Sequence, residues 1–227
     1  IIEAQERLES WGVSFADPVV EEGKAKMAEI ETIVVEVERA IDLKPLEGRH
    51  IIVTSGATNE KIDPIRIITN LSSGKTGESI ARGCYIKGAR VSLVHKGKNV
   101  PYLDTHRIQS AEEMIDRVID LSREADGLIS AAAIADYGAD PLEQKLRSGI
   151  ENMQLKLHQK PKLLDTVRKE FPDLVMVGFK VEVEEDQKMV VERSKELLER
   201  VGLAFVVAND ARVMGLDNTK VKIIRME

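Results

Sequence analysis

The run Thr54-Ser55-Gly56-Ala57-Thr58-Asn59-Glu60-Lys61-Ile62-Asp63-Pro64-Ile65-Arg66 closes on Thr69-Asn70-Leu71-Ser72-Ser73-Gly74-Lys75-Thr76-Gly77 and has the residue types of an anion site. It follows an apolar run and precedes a helical pattern, so free backbone N–H groups and a helix dipole converge at its second turn. Ser72, Ser73 and Gly74 at that helix start can offer two hydroxyls and several N–H groups to a phosphate. Asn70 places an amide directly beside them. The combination points to a nucleotide or phosphate-ester site with chemistry next to it. Neither GxGxxG nor GxxxxGK[ST] occurs, which excludes the standard dinucleotide fingerprint and the P-loop.

Two further segments follow the same logic. In Ala131-Ala132-Ala133-Ile134-Ala135-Asp136-Tyr137, small residues let a ligand approach the backbone, and Asp136 offers a carboxylate to ribose hydroxyls or a metal-bound phosphate. A solvated loop Asp is the plain alternative. Glu143-Gln144-Lys145-Leu146-Arg147-Ser148-Gly149 sets Lys145 and Arg147 in a glycine-containing stretch. That is either ordinary surface or a cationic clamp over a triphosphate that also excludes water. A third loop is expected at Gly178-Phe179-Lys180-Val181-Glu182, with Val207-Ala208-Asn209-Asp210 at the next strand end. There Phe179 could pack on a base and Asn209 could bond an amide-bearing substrate, though each alone reads as structural. His50, His95, His106 and His158 lack metal-ligand spacing, and no Ser-His-Asp constellation is discernible.

The elements that must position these residues alternate. Ile51–Val53, residues 90–95, 128–133, 174–179, 204–208 and 221–224 read as strands. Residues 75–87, a face set by Met114, Val118 and Leu121, a short helix from Leu163, and a stripe from Val190 to Val201 read as helices, with Gly88 and Gly202 as stops. Met153, Leu155 and Leu157 alternate with polar residues as in a half-exposed strand near an edge. The fold class is therefore α/β: a Rossmann-like, mainly parallel sheet with helices on both faces, plus a short antiparallel extension. Ligands in such sheets bind at the carboxyl ends of the strands. Ahead of this unit, Ile30, Ile33, Val34, Val37 and Ile41 form an apolar helical stripe that must bury its face, and residues 43–48 are a linker. Ile62, Ile65, Ile67 and Ile68 are expected to tether the long 54–77 loop.

Composition narrows the partners. The 227 residues carry 33 Lys+Arg against 39 Asp+Glu, a net −6, which makes nucleic acid a poor first partner. No apolar run is long enough to span a membrane and no leader begins the chain, and a single cysteine suits a reducing cytoplasm. Cys84 shares a helical stripe with Ile80 and reads as core.

Taken together, Thr54–Arg66, Ile68–Gly77, Ala132–Tyr137, Val177–Glu182 and Val207–Asp210 resemble five ordered motifs of phosphopantothenoylcysteine synthetase. That family is the ligase half of a bifunctional coenzyme A biosynthesis protein. The resemblance implies a synthetase domain over 46–227, preceded by 1–45 as the end of a flavin-dependent decarboxylase, so the chain reads as a fragment and no FMN is expected. It implies activation of 4′-phosphopantothenate by CTP, with Mg²⁺, to an acyl-cytidylate, then amide formation with L-cysteine. Asn70 would donate to the acyl oxygen and Lys145 would close over the triphosphate. Ser72, Ser73 and Gly74 would hold phosphates, Asp136 would meet the ribose or the metal, and Ala132 and Phe179 would border the base. Gly56, Thr58, Arg147, Lys180 and Asn209 complete the implied binding set. A homodimer is also implied, and the exposed-edge pattern of 153–157 is its expected pairing surface. The lysine-rich flap of the family is here Lys145-Leu146-Arg147-Ser148, its terminal G-F-G-S-D-x-N is weakened across 213–219, and the chain stops soon after Ile224. The rivals are an NAD(P)-dependent oxidoreductase, opposed by the missing fingerprint, and a non-catalytic nucleotide-binding module.

Overall fold

The computed structural model describes the chain except residues 1, 14, 17, 22, 148, 150, 184, 185, 211–219 and 227. The weakened terminal motif at 213–219 therefore lies outside the described residues. In chain order the elements are α1 (Ile2–Glu9), β1 (Val19–Glu21), β2 (Lys24–Lys26), α2 (Ile30–Ile41), β3 (His50–Thr54), β4 (Asn59–Lys61), β5 (Ile67–Thr69), α3 (Lys75–Ile86), β6 (Arg90–His95) and β7 (Asp104–Arg107). They continue through α4 (Ala111–Ser122), β8 (Gly127–Ser130), β9 (Tyr137–Gly138), β10 (His158–Gln159), α5 (Leu163–Glu170), β11 (Val175–Glu182), α6 (Gln187–Val201), β12 (Phe205–Asp210) and β13 (Val221–Ile224).

Seven strands form the central sheet in the order β13-β12-β11-β8-β3-β6-β7, all parallel except β13. Neighbouring residues on a strand face opposite sides, and that divides the core in two. Ile52, Leu128, Met176 and Val206 pack with Met114 and Val118 of α4, Val167 of α5 and Leu198 of α6. Val53, Val91 and Leu93 pack on Ala81 of α3, with Cys84 half-buried beside them as expected of a core thiol. Both faces are thus covered, and the expected α/β architecture with small antiparallel additions is observed. Ser110 caps α4 by accepting from the Glu113 N–H at 3.2 Å. Among the described residues no helix is long and apolar enough to cross a membrane.

Three local expectations need correction. The stripe of α2 faces outward: Ile30 and Ile41 are 74% and 80% exposed, while Val35 and Thr32 turn inward. The helix is moored instead by Arg39, which donates to the carbonyls of Gly88 and Ala89 at 3.1 and 3.2 Å. Residues 153–157 belong to no strand, because no described segment pairs with them, and Met153, Leu155 and Leu157 are exposed. Gly178 to Glu182 is the carboxyl-terminal part of β11, not a loop beyond it.

Candidate functional site

β3 and β8 run side by side and end together at Thr54 and Ser130. The loops beyond them are laced. Gly56, at φ +74°, turns the chain and accepts from the Ala133 N–H at 2.8 Å. The Ala132 and Ala135 N–H groups donate to the hydroxyls of Thr54 and Thr58 at 3.2 and 3.0 Å. Thr69 donates to the Thr58 carbonyl at 2.7 Å. Thr58 is fully buried, so it shapes the site through the loop it holds.

Against this floor stands the start of α3. Gly74 is its N-cap at φ +82° and offers no side-chain cap of its own. Beyond Lys75, whose N–H meets the Ser73 hydroxyl, the first-turn N–H groups keep their capacity for an anion. The approach is close enough to demand glycine. A Cβ on Gly77 would lie 2.6 Å from the Ser55 Cβ and 2.9 Å from the Thr54 carbonyl oxygen. Ser55 closes the junction by donating to the Gly74 carbonyl at 2.7 Å. Sequence reading passed over Ser55; the small residues facing it at Gly74 and Gly77 were the available signal.

Asn70 leaves β5 between these two walls. Its Nδ2 donates to the carbonyls of Ala133 and Ile134 at 3.1 and 3.2 Å. Ser73 lies next to the helix start, with its hydroxyl 3.4 Å from the Lys75 N–H, and Ser72 is half-buried. Asp136 is exposed at the end of the 131–136 loop. On the far strands Phe179 is half-buried, Lys180 pairs with Glu182 at 3.3 Å, and Glu182 also takes Arg193 at 3.2 Å. The Oδ1 of Asn209 is buried and finds no partner among the described residues. Such an orphan acceptor is costly unless something donates to it. No group of three metal-capable side chains gathers among the described residues.

The loop's tether is polar, which the sequence reading missed. Ile65 and Ile67 are exposed, whereas Asp63 is buried and its side chain has no accessible surface. Burial alone would raise its carboxyl. The Leu146 and Ile65 N–H groups, the Arg66 guanidinium and the Arg66 N–H outweigh that and hold it at about 2. Lys145 and Arg147, on either side of Leu146, are exposed.

Comparison with known proteins gives this arrangement a lineage. Residues 46–227 match the DNA/pantothenate metabolism flavoprotein C-terminal domain. The chain is 37% identical to the coenzyme A biosynthesis bifunctional protein CoaBC of Thermococcus kodakarensis, covering 96% of this chain and 55% of that protein. It is 40% identical to the CoaBC of Methanocaldococcus jannaschii, covering 85% and 48%. The chain thus spans about half the length of these relatives. The crystal structure of the C-terminal domain of a CoaBC superposes with a TM-score of 0.66 at 29% identity, over 81% of this chain and 88% of that one. The five ordered motifs include or follow the ends of β3, β5, β8, β11 and β12, inside the matched span. The chain belongs to the family of DNA/pantothenate metabolism flavoprotein C-terminal domains.

Proposed function

We propose that this chain is a ligase of coenzyme A biosynthesis that joins 4′-phosphopantothenate to L-cysteine with CTP as the activating nucleotide. One observation supports the reading: the glycine-led start of α3, the Asn70 amide and the 131–136 loop are held together at the carboxyl ends of β3 and β8.

In the first step the phosphopantothenate carboxylate attacks the α-phosphorus of CTP, forming an acyl–phosphate bond and expelling diphosphate. The N–H groups of α3 with Ser72, Ser73 and Gly74 hold phosphate oxygens, and Lys145 and Arg147 offset their charge. Ala132 and Phe179 border the base, with Lys180 and Asn209 on the same strand ends and Gly56 letting the backbone come close. In the second step the cysteine amine attacks the acyl carbon, loses a proton, and CMP leaves. Asn70 then has to swing its Nδ2 from the Ala133 and Ile134 carbonyls to the acyl oxygen. Mg²⁺ fits as an ion carried in on the triphosphate, because Asp136 is a single exposed carboxylate and a hard cation with several waters needs no more. When bound it supplies neutralisation of the phosphate charge.

In the full-length protein a decarboxylase domain precedes residue 46, with 1–45 as its tail. Two copies pair through the exposed, ladder-free residues 153–157. The protein works in the cytoplasm. The test supplies Mg²⁺, 4′-phosphopantothenate, L-cysteine and either CTP or ATP, and measures diphosphate. Release should be faster with CTP; no release with either nucleotide ends the proposal. Thermal stabilisation by NADPH but not by CTP with Mg²⁺ would favour the oxidoreductase.

A further inference from the structure

Residues 142–147 lie in no helix or strand, yet one turn holds them at two points. The Leu142 N–H donates to the Ile62 carbonyl at 2.9 Å. Four residues on, both backbone polar groups of Leu146 are taken. Its N–H donates to Asp63 Oδ2 at 3.0 Å, and its carbonyl accepts from the two terminal nitrogens of Arg66 at 3.3 and 3.4 Å. Asp63 and Arg66 are themselves an ion pair through that same Oδ2.

The division of labour between the two carboxylate oxygens is informative. Oδ1 receives the N–H groups of Ile65 and Arg66 at 2.9 and 2.8 Å, which is all that an aspartate-nucleated turn requires. Oδ2 does something the turn does not need. It reaches a residue 83 positions away and, with Arg66, holds the two peptide groups that flank that residue's Cα. Bonds to charged groups are directional and costly to leave unmade. The turn is also the tip of the β4–β5 hairpin, whose outgoing strand delivers Asn70.

We propose that Asp63 is a positioning residue: its Oδ2, braced by Arg66, seats Leu146 and thereby fixes where Lys145 and Arg147 stand relative to the hairpin that carries Asn70. What the two cations meet rests on the ligase reading; the seat itself does not. A merely structural Asp63 would change stability without changing how the arm is held.

Asp63→Asn separates the two roles, since its amide oxygen can keep the turn while its NH₂ replaces Oδ2 with a donor. Hydrogen exchange needs no substrate, and the Leu146 amide should exchange at least about 10-fold faster in Asp63→Asn while the Ile52 amide is unchanged. In turnover, KM for the nucleotide should rise and kcat/KM fall about 10- to 100-fold, the scale of a small misplacement of a catalytic group. Lys145→Ala combined with Asp63→Asn should then be little worse than Lys145→Ala alone. Arg66→Lys, which keeps the charge but loses the fork, should give an intermediate exchange rate. Unchanged Leu146 exchange in both variants overturns the proposal, as does faster exchange with an unaltered KM and kcat/KM. Wild-type protein that releases no diphosphate instead overturns the ligase reading, and Leu146 exchange still decides the seat.

Discussion

At the amino ends of β3, β6 and β7, Arg90 lies 2.8 Å from His50 Nδ1, His50 Nε2 lies 2.9 Å from the Ser92 hydroxyl, and Ser92 donates to Asp104 at 2.9 Å. His50 Nδ1 also lies 3.3 Å from the Glu124 carbonyl, so that nitrogen faces a donor in Arg90 and an acceptor in Glu124. His106 closes the chain on Asp104 at 2.8 Å, and Asp126 holds the His50 N–H and the Arg49 guanidinium, each at 2.8 Å. The carboxyl ends differ. There α3 starts on a glycine that offers no side-chain cap, and the Asn209 Oδ1 of β12 has no partner among the described residues. The same sheet thus carries a bonded polar chain at one end and an unsatisfied acceptor at the other. Saturation makes a network that stabilises and does nothing else; unsatisfied polarity costs stability and binds.

The largest effect should come from breaking the unsaturated end. Asn70→Asp should lower product formation by about 10²–10³-fold, the usual loss of an oxyanion donor. The first turnover should still release diphosphate, so acid quench and mass spectrometry should find the acyl-nucleotide. Normal product formation would take Asn70 out of the second step. Next, Gly77→Ala puts a methyl against Ser55 and the Thr54 carbonyl. Overpacking should cost about 1–3 kcal/mol, read by urea denaturation, and nucleotide affinity should fall with it because the start of α3 must retreat. Full affinity at reduced stability would show that the helix start is not the phosphate site.

A paired substitution sharpens the comparison directly. Ser92→Ala takes the partner of His50 Nε2 and leaves Asp104 with His106, and should cost about 1–3 kcal/mol without touching nucleotide affinity. Asn209→Leu removes an acceptor that has no partner among the described residues, so stability should move by less than about 1 kcal/mol while nucleotide affinity drops. The two ends are equivalent after all if both variants lose stability alike.

The contrast also explains what was legible in the sequence. Strands buried on both faces read as apolar runs, so Ile51–Val53 and residues 204–208 were visible, as were the glycine stops at Gly88 and Gly202. The cleft announced itself through length and small residues in 54–77. What stayed hidden depends on distant partners. His50, Ser92 and Asp104 come from three strands, and Asp63 meets Leu146 across 83 positions. Beside Pro64, Asp63 looks like any turn residue. β4 is Asn59-Glu60-Lys61, with no apolar alternation to betray a strand. The alternation at 153–157 is real but has no partner strand among the described residues, so pattern alone overstated it.

The smallest effect belongs to acid at the saturated end. Burial first, and then the Arg90 charge, lower the pKa of His50 below its ordinary 6.5, so the folded chain holds it neutral. The unfolded chain binds that proton at higher pH than the folded chain does. Stability from His50 is therefore complete above about 6.5 and is lost as the pH falls toward the depressed folded value. Asp104 and Asp126 are also lowered, Asp104 because His106 and Ser92 outweigh burial, and Asp126 chiefly through the His50 N–H. Their contributions fade only below the ordinary carboxylate value of 3.8, in a separate window. The urea midpoint of the wild type should thus decline between pH 7 and 5, and His50→Gln should flatten that decline at the expense of stability at pH 7. Parallel pH profiles for the two proteins would mean that the chain tolerates a charged His50 beside Arg90, and the amino end would then be less saturated than its hydrogen bonds imply.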